Sequence, residues 1–276
     1  MNLRYLILRF ARHFMPEGMA RFLLKHRWII RPGLESSNPA AAVEQYMKGL
    51  EQHGKSISGR RILVFGYGGR FAVGVELLAR GAAHVVLCDH YVLLDRERNL
   101  ELLPKYEKYL RVENGEVMPR PEQITLLHGD IREAKVQAQI SSVDLVLSTS
   151  VYEHLGDVEG ITAALAKLTA PTGSHLHFID LRDHYFKFPF EMLAYSEDIW
   201  ATFLNPTSNL NRYRLPAYRN TFEKNFGKVK INILARQEEE FKKMGSRIRP
   251  EFLTGDPSVD SVTLIELFAE EPRHEA

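Results

Sequence analysis

The chain has 276 residues, 45% hydrophobic and 26% charged, with 36 Lys or Arg against 35 Asp or Glu. This suffices for one sizeable core plus an appendage, and the near balance of charge argues against dedicated nucleic-acid binding. A lone cysteine, Cys88, excludes an intramolecular disulfide framework and leads to a cytoplasmic expectation, and no run is long and apolar enough for a membrane span.

At the start of the chain, Leu3, Leu6, Ile7, Phe10 and Phe14 share one helical face, with Tyr5, Arg9 and Arg12 on the other. Through Gly33 the segment holds seven Lys or Arg and one acid, Glu17. Such a basic amphipathic helix is expected to bury its apolar stripe against the core or a second copy of the chain; peripheral contact with an anionic membrane is the other reading. A second helix follows, with Asn38 as cap, Pro39 in the first turn, Val43, Tyr46, Met47 and Leu50 on one face, and Gly54 beyond its end.

Residues Arg61–Asp89 read as an apolar strand, a glycine-rich turn, a helix from about Phe71, and a second strand ending on an acid. This is a nucleotide-binding βαβ order. Gly66, Gly68 and Gly69 let the backbone approach a ligand, the helix offers amide donors, and Asp89 can accept from a ribose diol. Phe71 occupies the place where a dinucleotide fingerprint needs a third small residue, so NAD or FAD is disfavoured. The stretch resembles motif I of class I S-adenosylmethionine-dependent methyltransferases. It departs from that motif at Val64, where an acid is usual, and at Arg70, where glycine is common.

Further segments follow in the order that this resemblance implies. Ile124–Leu127 is a third strand, and His128-Gly129-Asp130-Ile131 looks like the family's acidic turn, which implies that Asp130 and Ile131 lie beside the adenine. Val143–Leu147 is a fourth strand leading to Glu153-His154-Leu155, similar to a signature of many small-molecule methyltransferases. A helix over Asp157–Leu168, a fifth strand over Ser174–Leu181, and β-rich runs at Lys228–Leu234 and Ser261–Phe268 complete the pattern. The expected fold is therefore α/β, a Rossmann-like seven-stranded methyltransferase sheet with helices on both faces. Residues 1–56 form an N-terminal helical cap, 57–276 the catalytic domain, and 182–227 the acceptor-side region.

The implied cofactor is S-adenosylmethionine, and the acceptor is expected to be an oxygen of a small or glycan-like molecule. The stretch Asp180-Leu181-Arg182-Asp183-His184 also resembles a sequence in bacterial methyltransferases of surface-glycan or similar biosynthesis. His184 is the first general-base candidate, oriented by Asp183 or Asp180, with His154 as an alternative base. Arg182 would bind an anionic acceptor, with Tyr185 and Glu153 beside it. His175 and His177 share a strand face near Asp180, Asp183 and His184, a pattern that a metal or ordinary packing explains; no metal is expected. A noncatalytic binding protein of the same fold is the competing class, and an NAD-linked oxidoreductase or epimerase the weaker one.

Overall fold

The structure, a computed structural model, describes residues 2–16, 18–19, 22–23, 38–91, 93–185 and 187–274. Its main sheet contains β1 (Arg61–Phe65), β2 (His84–Asp89), β5 (Ile124–His128), β6 (Val143–Thr149), β7 (Thr169–Asp180), β8 (Phe226–Arg236) and β9 (Val262–Pro272). β3 (Leu110–Glu113) and β4 (Glu116–Pro119) form a separate hairpin. The spatial order of the large sheet is β5-β2-β1-β6-β7-β9-β8. Its first five strands run parallel, and β9 lies antiparallel between β7 and β8. Because β1 pairs with both β2 and β6, the strand order reverses there, and ligands of open α/β sheets bind at such a reversal, beyond the carboxyl ends of the strands.

Alternation along the strands builds two cores. Ile62 and Val64 of β1 face α2 (Pro39–Gln52) and α3 (Ala72–Ala79), while Leu63 and Phe65 face the opposite way, toward α5 (Val158–Leu168) and α6 (Leu215–Asn225). A short helix α4 (Arg96–Leu100) lies between β2 and the β3–β4 hairpin. Asn38 caps α2 by accepting from the Ala41 amide at 3.2 Å, and Asp157 caps α5 through the Gly160 amide at 2.8 Å. A third apolar cluster joins Phe190, Met192, Trp200, Leu204, Leu210, Met244 and Ile248, outside the sheet. Both the region after β7 and the segment between β8 and β9 contribute to it.

Two features depart from what the sequence leads one to expect. The β3–β4 hairpin was not expected, although Asn114-Gly115 supplies its turn, with φ of 51° and 79°. The second concerns α1 (Leu3–His13), which packs with its polar face inward: Tyr5 is 0% and Arg9 2% exposed, while Leu3, Ile7, Phe10 and Phe14 are exposed. The cause is an acid on the facing loop. Asp183 receives hydrogen bonds from Tyr5 and Arg9, and a buried carboxylate requires such partners more strongly than apolar side chains require cover. Leu6 alone of the five stripe residues reaches an apolar cluster. Among the described residues no helix is long and apolar enough to cross a membrane.

Candidate active site

The turn after β1 is built from backbone conformations that only glycine adopts without strain. Gly66, Gly68 and Gly69 have φ of 79°, 70° and 76°. At Gly66 space is also lacking, since an added Cβ would press into the side chain of Val151. Asp89, at the end of β2 and buried, accepts from the Gly68 amide at 3.1 Å and from the Tyr91 amide at 3.0 Å. Its carboxylate therefore braces the glycine turn as well as marking the strand end. Asn99 of α4 clamps the turn from the other side. Its Oδ1 accepts from Phe71 N at 2.9 Å and its Nδ2 donates to Gly69 O at 3.0 Å.

Next along this edge, Asp130 holds Arg132 through both carboxylate oxygens, and that pairing keeps its carboxyl down at about 2. Arg132 also reaches Asp157 at 2.7 Å. The Ile131 side chain is buried in the core on the α5 side, so it offers a ligand its backbone rather than its side chain. Arg70 lies 3.9 Å from Glu101.

The loops after β6 and β7 bring together three groups far apart in sequence. One donor atom each from Glu153, His154 and His184 lie within 4.8 Å of one another. Glu153 is 2% exposed, and neither carboxylate oxygen has a hydrogen-bond partner among the described residues. Burial, aided by the nearby charge of Asp180, raises its pKa well above the ordinary carboxylate range. Burial lowers the pKa of His154, so its imidazole is neutral. Its Nδ1 sits 2.8 Å from the carbonyl oxygen of Asn209. A carbonyl only accepts, so Nδ1 carries the proton and Nε2 the free lone pair. The His184 ring stands edge-on to His154 at 4.8 Å, and its pKa too is lowered, first by desolvation and then by His154, Arg9, Arg182 and Arg12.

Around the trio the chain is tightly held. Asn211 donates to the carbonyls of Tyr152 and Leu155 at 2.7 and 3.1 Å, and Asn209 returns a hydrogen bond to the His154 carbonyl at 3.0 Å. Ser150, just before this loop, takes φ of 56°, a left-handed conformation that costs a non-glycine residue about 1–2 kcal/mol. Arg182 is paired side-on with Asp180, at 2.9 and 2.6 Å, and keeps part of its guanidinium exposed.

No family model matches the chain, and no curated protein matches it. Solved structures do. A Galdieria sulphuraria protein described as a candidate sarcosine dimethylglycine methyltransferase superposes with a TM-score of 0.54 at 14% identity, over 92% of this chain and 99% of that one. Haemonchus contortus phosphoethanolamine N-methyltransferase 2, in complex with phosphomonomethylethanolamine and S-adenosylhomocysteine, gives 0.53 at 13% identity, over 96% of this chain and 60% of that one. Geranyl diphosphate methyltransferase in complex with S-adenosylmethionine gives 0.50 at 11% identity, over 84% of each chain. The chain has the class I methyltransferase fold.

In that methyltransferase fold, the residues singled out from sequence fall into three places. Gly66, Gly68, Gly69, Asp89, Asp130 and Ile131 occupy the carboxyl ends of β1, β2 and β5 and the turns that follow them. Glu153, His154 and His184 form the trio beyond β6 and β7. Asp183 is placed elsewhere: it is fully buried, receives Tyr5 at 2.5 Å, Arg9, and the Tyr185 amide at 2.8 Å, and thus fastens α1. Tyr185 donates to the Leu8 carbonyl at 2.9 Å and lies under the Arg9 guanidinium. His175 and His177 lie in the core, linked at 3.2 Å and ending on Thr169 and Ser148, each at 2.8 Å; this is the packing reading of the pair. Asn99, Asn209, Tyr5 and Arg9 carry no motif in the sequence that marks them for this site. Single polar side chains that grip backbone have no spacing to betray them.

Proposed function

We propose that the protein transfers a methyl group from S-adenosylmethionine to an oxygen of a small, anionic, carbohydrate-like acceptor. The observation that carries this reading is the placement of a glycine turn braced by Asp89 and Asn99 on the same sheet edge as Glu153, His154 and His184. The turn suits a cofactor whose amino-acid end needs close backbone approach, and Asp89 and Asp130 supply acceptors for its ribose and adenine ends. When bound, the cofactor supplies an electrophilic methyl on sulfonium sulfur.

The chain then has two tasks. It must hold the acceptor oxygen in line, and it must take the oxygen's proton as the new carbon–oxygen bond forms and the sulfur–carbon bond breaks. His154 fits the second task, because its Nε2 lone pair is free and its ring is fixed by the Asn209 carbonyl. Its lowered pKa makes it a modest base that is always ready near neutral pH. Glu153, protonated by its burial, is suited to donating a hydrogen bond to an acceptor hydroxyl or to His184. Arg9, Arg182 and Arg12 all act on His184, the first two offset in part by Asp183 and Asp180, and this balance favours an anionic acceptor. Two of the similar structures carry phosphate chemistry in their names, geranyl diphosphate and phosphomonomethylethanolamine, which agrees with an anionic acceptor.

The test is incubation of the protein with methyl-labelled S-adenosylmethionine and a metabolite-complete extract, with and without a chelator. Label is expected on an acid-containing small molecule as an ether or ester, unaffected by the chelator and reduced roughly a hundredfold in His154→Gln, within the range of general-base contributions. Label confined to amines, protein or nucleic acid would contradict the oxygen acceptor. Loss of activity on chelation would reassign the trio to a metal.

A further inference from the structure

The N-terminal helix is held by its polar side, and this leaves an apolar stripe facing outward. Leu3, Ile7, Phe10 and Phe14 stand at the i, i+4, i+7, i+11 spacing of one helical face and are 63%, 60%, 52% and 58% exposed. Leu8 on another side of the helix, and Met19 and Phe22 farther along the chain, are exposed as well. The rings of Phe10 and Phe14 touch, with centroids 4.6 Å apart. A stripe of this kind marks an interaction surface.

The opposite face cannot simply roll to bury the stripe. Tyr5 and Arg9 are locked to Asp183, Tyr185 donates to the Leu8 carbonyl, and His13 Nδ1 lies 2.7 Å from the Asn205 carbonyl. The charge of the segment then chooses the occupant. Seven of the first 33 residues are Lys or Arg and one is acidic. On α1 itself Arg4 is exposed, while Arg9 is held by Asp183 and Arg12 is half-buried. Two copies of so basic a segment would repel across a shared stripe, whereas an anionic lipid surface takes the apolar side chains and attracts the basic segment.

We propose that α1 seats the protein on an anionic lipid surface, with Leu3, Ile7, Phe10 and Phe14 in the interfacial layer and Tyr5 and Arg9 turned to the loop after β7. Held this way, α1 lies between the lipid surface and the loop after β7.

The test is flotation of the full-length protein with vesicles of phosphatidylcholine containing about one-third phosphatidylglycerol, and with phosphatidylcholine alone, at low and high salt. Binding is expected to the anionic vesicles, to fall at least tenfold at high salt, and to be lost when Leu3, Ile7, Phe10 and Phe14 are all replaced by Ser. The melting temperature of that variant should stay within about 2 °C of the parent, since the four side chains already face solvent. Phe10→Trp supplies a second readout that does not rely on the multiple variant: its added emission should shift to the blue, and be quenched by brominated lipid, only with anionic vesicles. Absence of flotation by the parent protein would overturn the proposal. So would flotation unchanged in the Ser variant, or a parent that is dimeric in solution and becomes monomeric in the Ser variant without binding vesicles.

Discussion

The Tyr5 hydroxyl donates a 2.5 Å hydrogen bond to Oδ2 of Asp183, tying the first helix of the chain to the loop after β7. Arg9 holds the other oxygen, and all three side chains are buried. Removing the cation alone strands a buried carboxylate, so Arg9→Met should destabilise the fold by about 3–5 kcal/mol in urea denaturation. The pair Arg9→Met with Asp183→Leu, which removes both charges, should recover at least half of that loss. If the double variant is as unstable as the single one, the contact is packing and not charge.

Gly66 and Asn99 shape the same turn by different means. Gly66→Ala adds a Cβ at φ 79° against Val151, and should abolish S-adenosylhomocysteine binding while far-ultraviolet circular dichroism stays close to the parent's. Asn99→Ala removes two hydrogen bonds to the turn and should weaken binding roughly tenfold, about 1.4 kcal/mol. Unchanged affinity in both variants would remove the glycine turn from the cofactor site.

The pKa directions fix how stability varies with pH. Glu153 has a raised pKa in the fold, so the folded chain keeps a proton that the unfolded chain has lost. Its contribution is complete below the ordinary glutamate value near 4.3 and declines as pH rises toward the raised folded value. Glu153→Gln should remove that decline. His175 and His177 are lowered by burial, His175 to about 3, and act in the opposite sense. Unfolding at acid pH lets them protonate, so stability falls as pH drops below the ordinary histidine value near 6.5. Melting curves of the parent and Glu153→Gln between about pH 4 and 9 check both, and parallel curves on the alkaline side would contradict the Glu153 assignment.

Much of the sheet was legible because its parallel strands are short apolar runs, each followed by a turn or an acid, and their order leaves little freedom to a βαβ chain. Glu153 and His154 were picked out by the strand they follow, and His184 by the next one. Their meeting could be read only through the adjacency of β6 and β7. The orientation of α1 was not legible. Helical periodicity identifies two faces but assigns the apolar one to the interior by default, and here Asp183, more than 170 residues away, draws the polar face inward. The Asn99 clamp and the Asn209 strap were hidden for a related reason, since their partners are backbone groups that any sequence would present.

Calorimetric titration with S-adenosylhomocysteine, with NAD as comparison and Asp89→Ala as control, tests the assigned cofactor site most directly. The expected result is one adenosyl ligand per chain, no binding of NAD, and affinity weakened about tenfold or more in Asp89→Ala, which loses both the strand-end carboxylate and its brace on Gly68. Binding of NAD with no binding of S-adenosylhomocysteine, or an Asp89→Ala variant that binds as well as the parent, would contradict it.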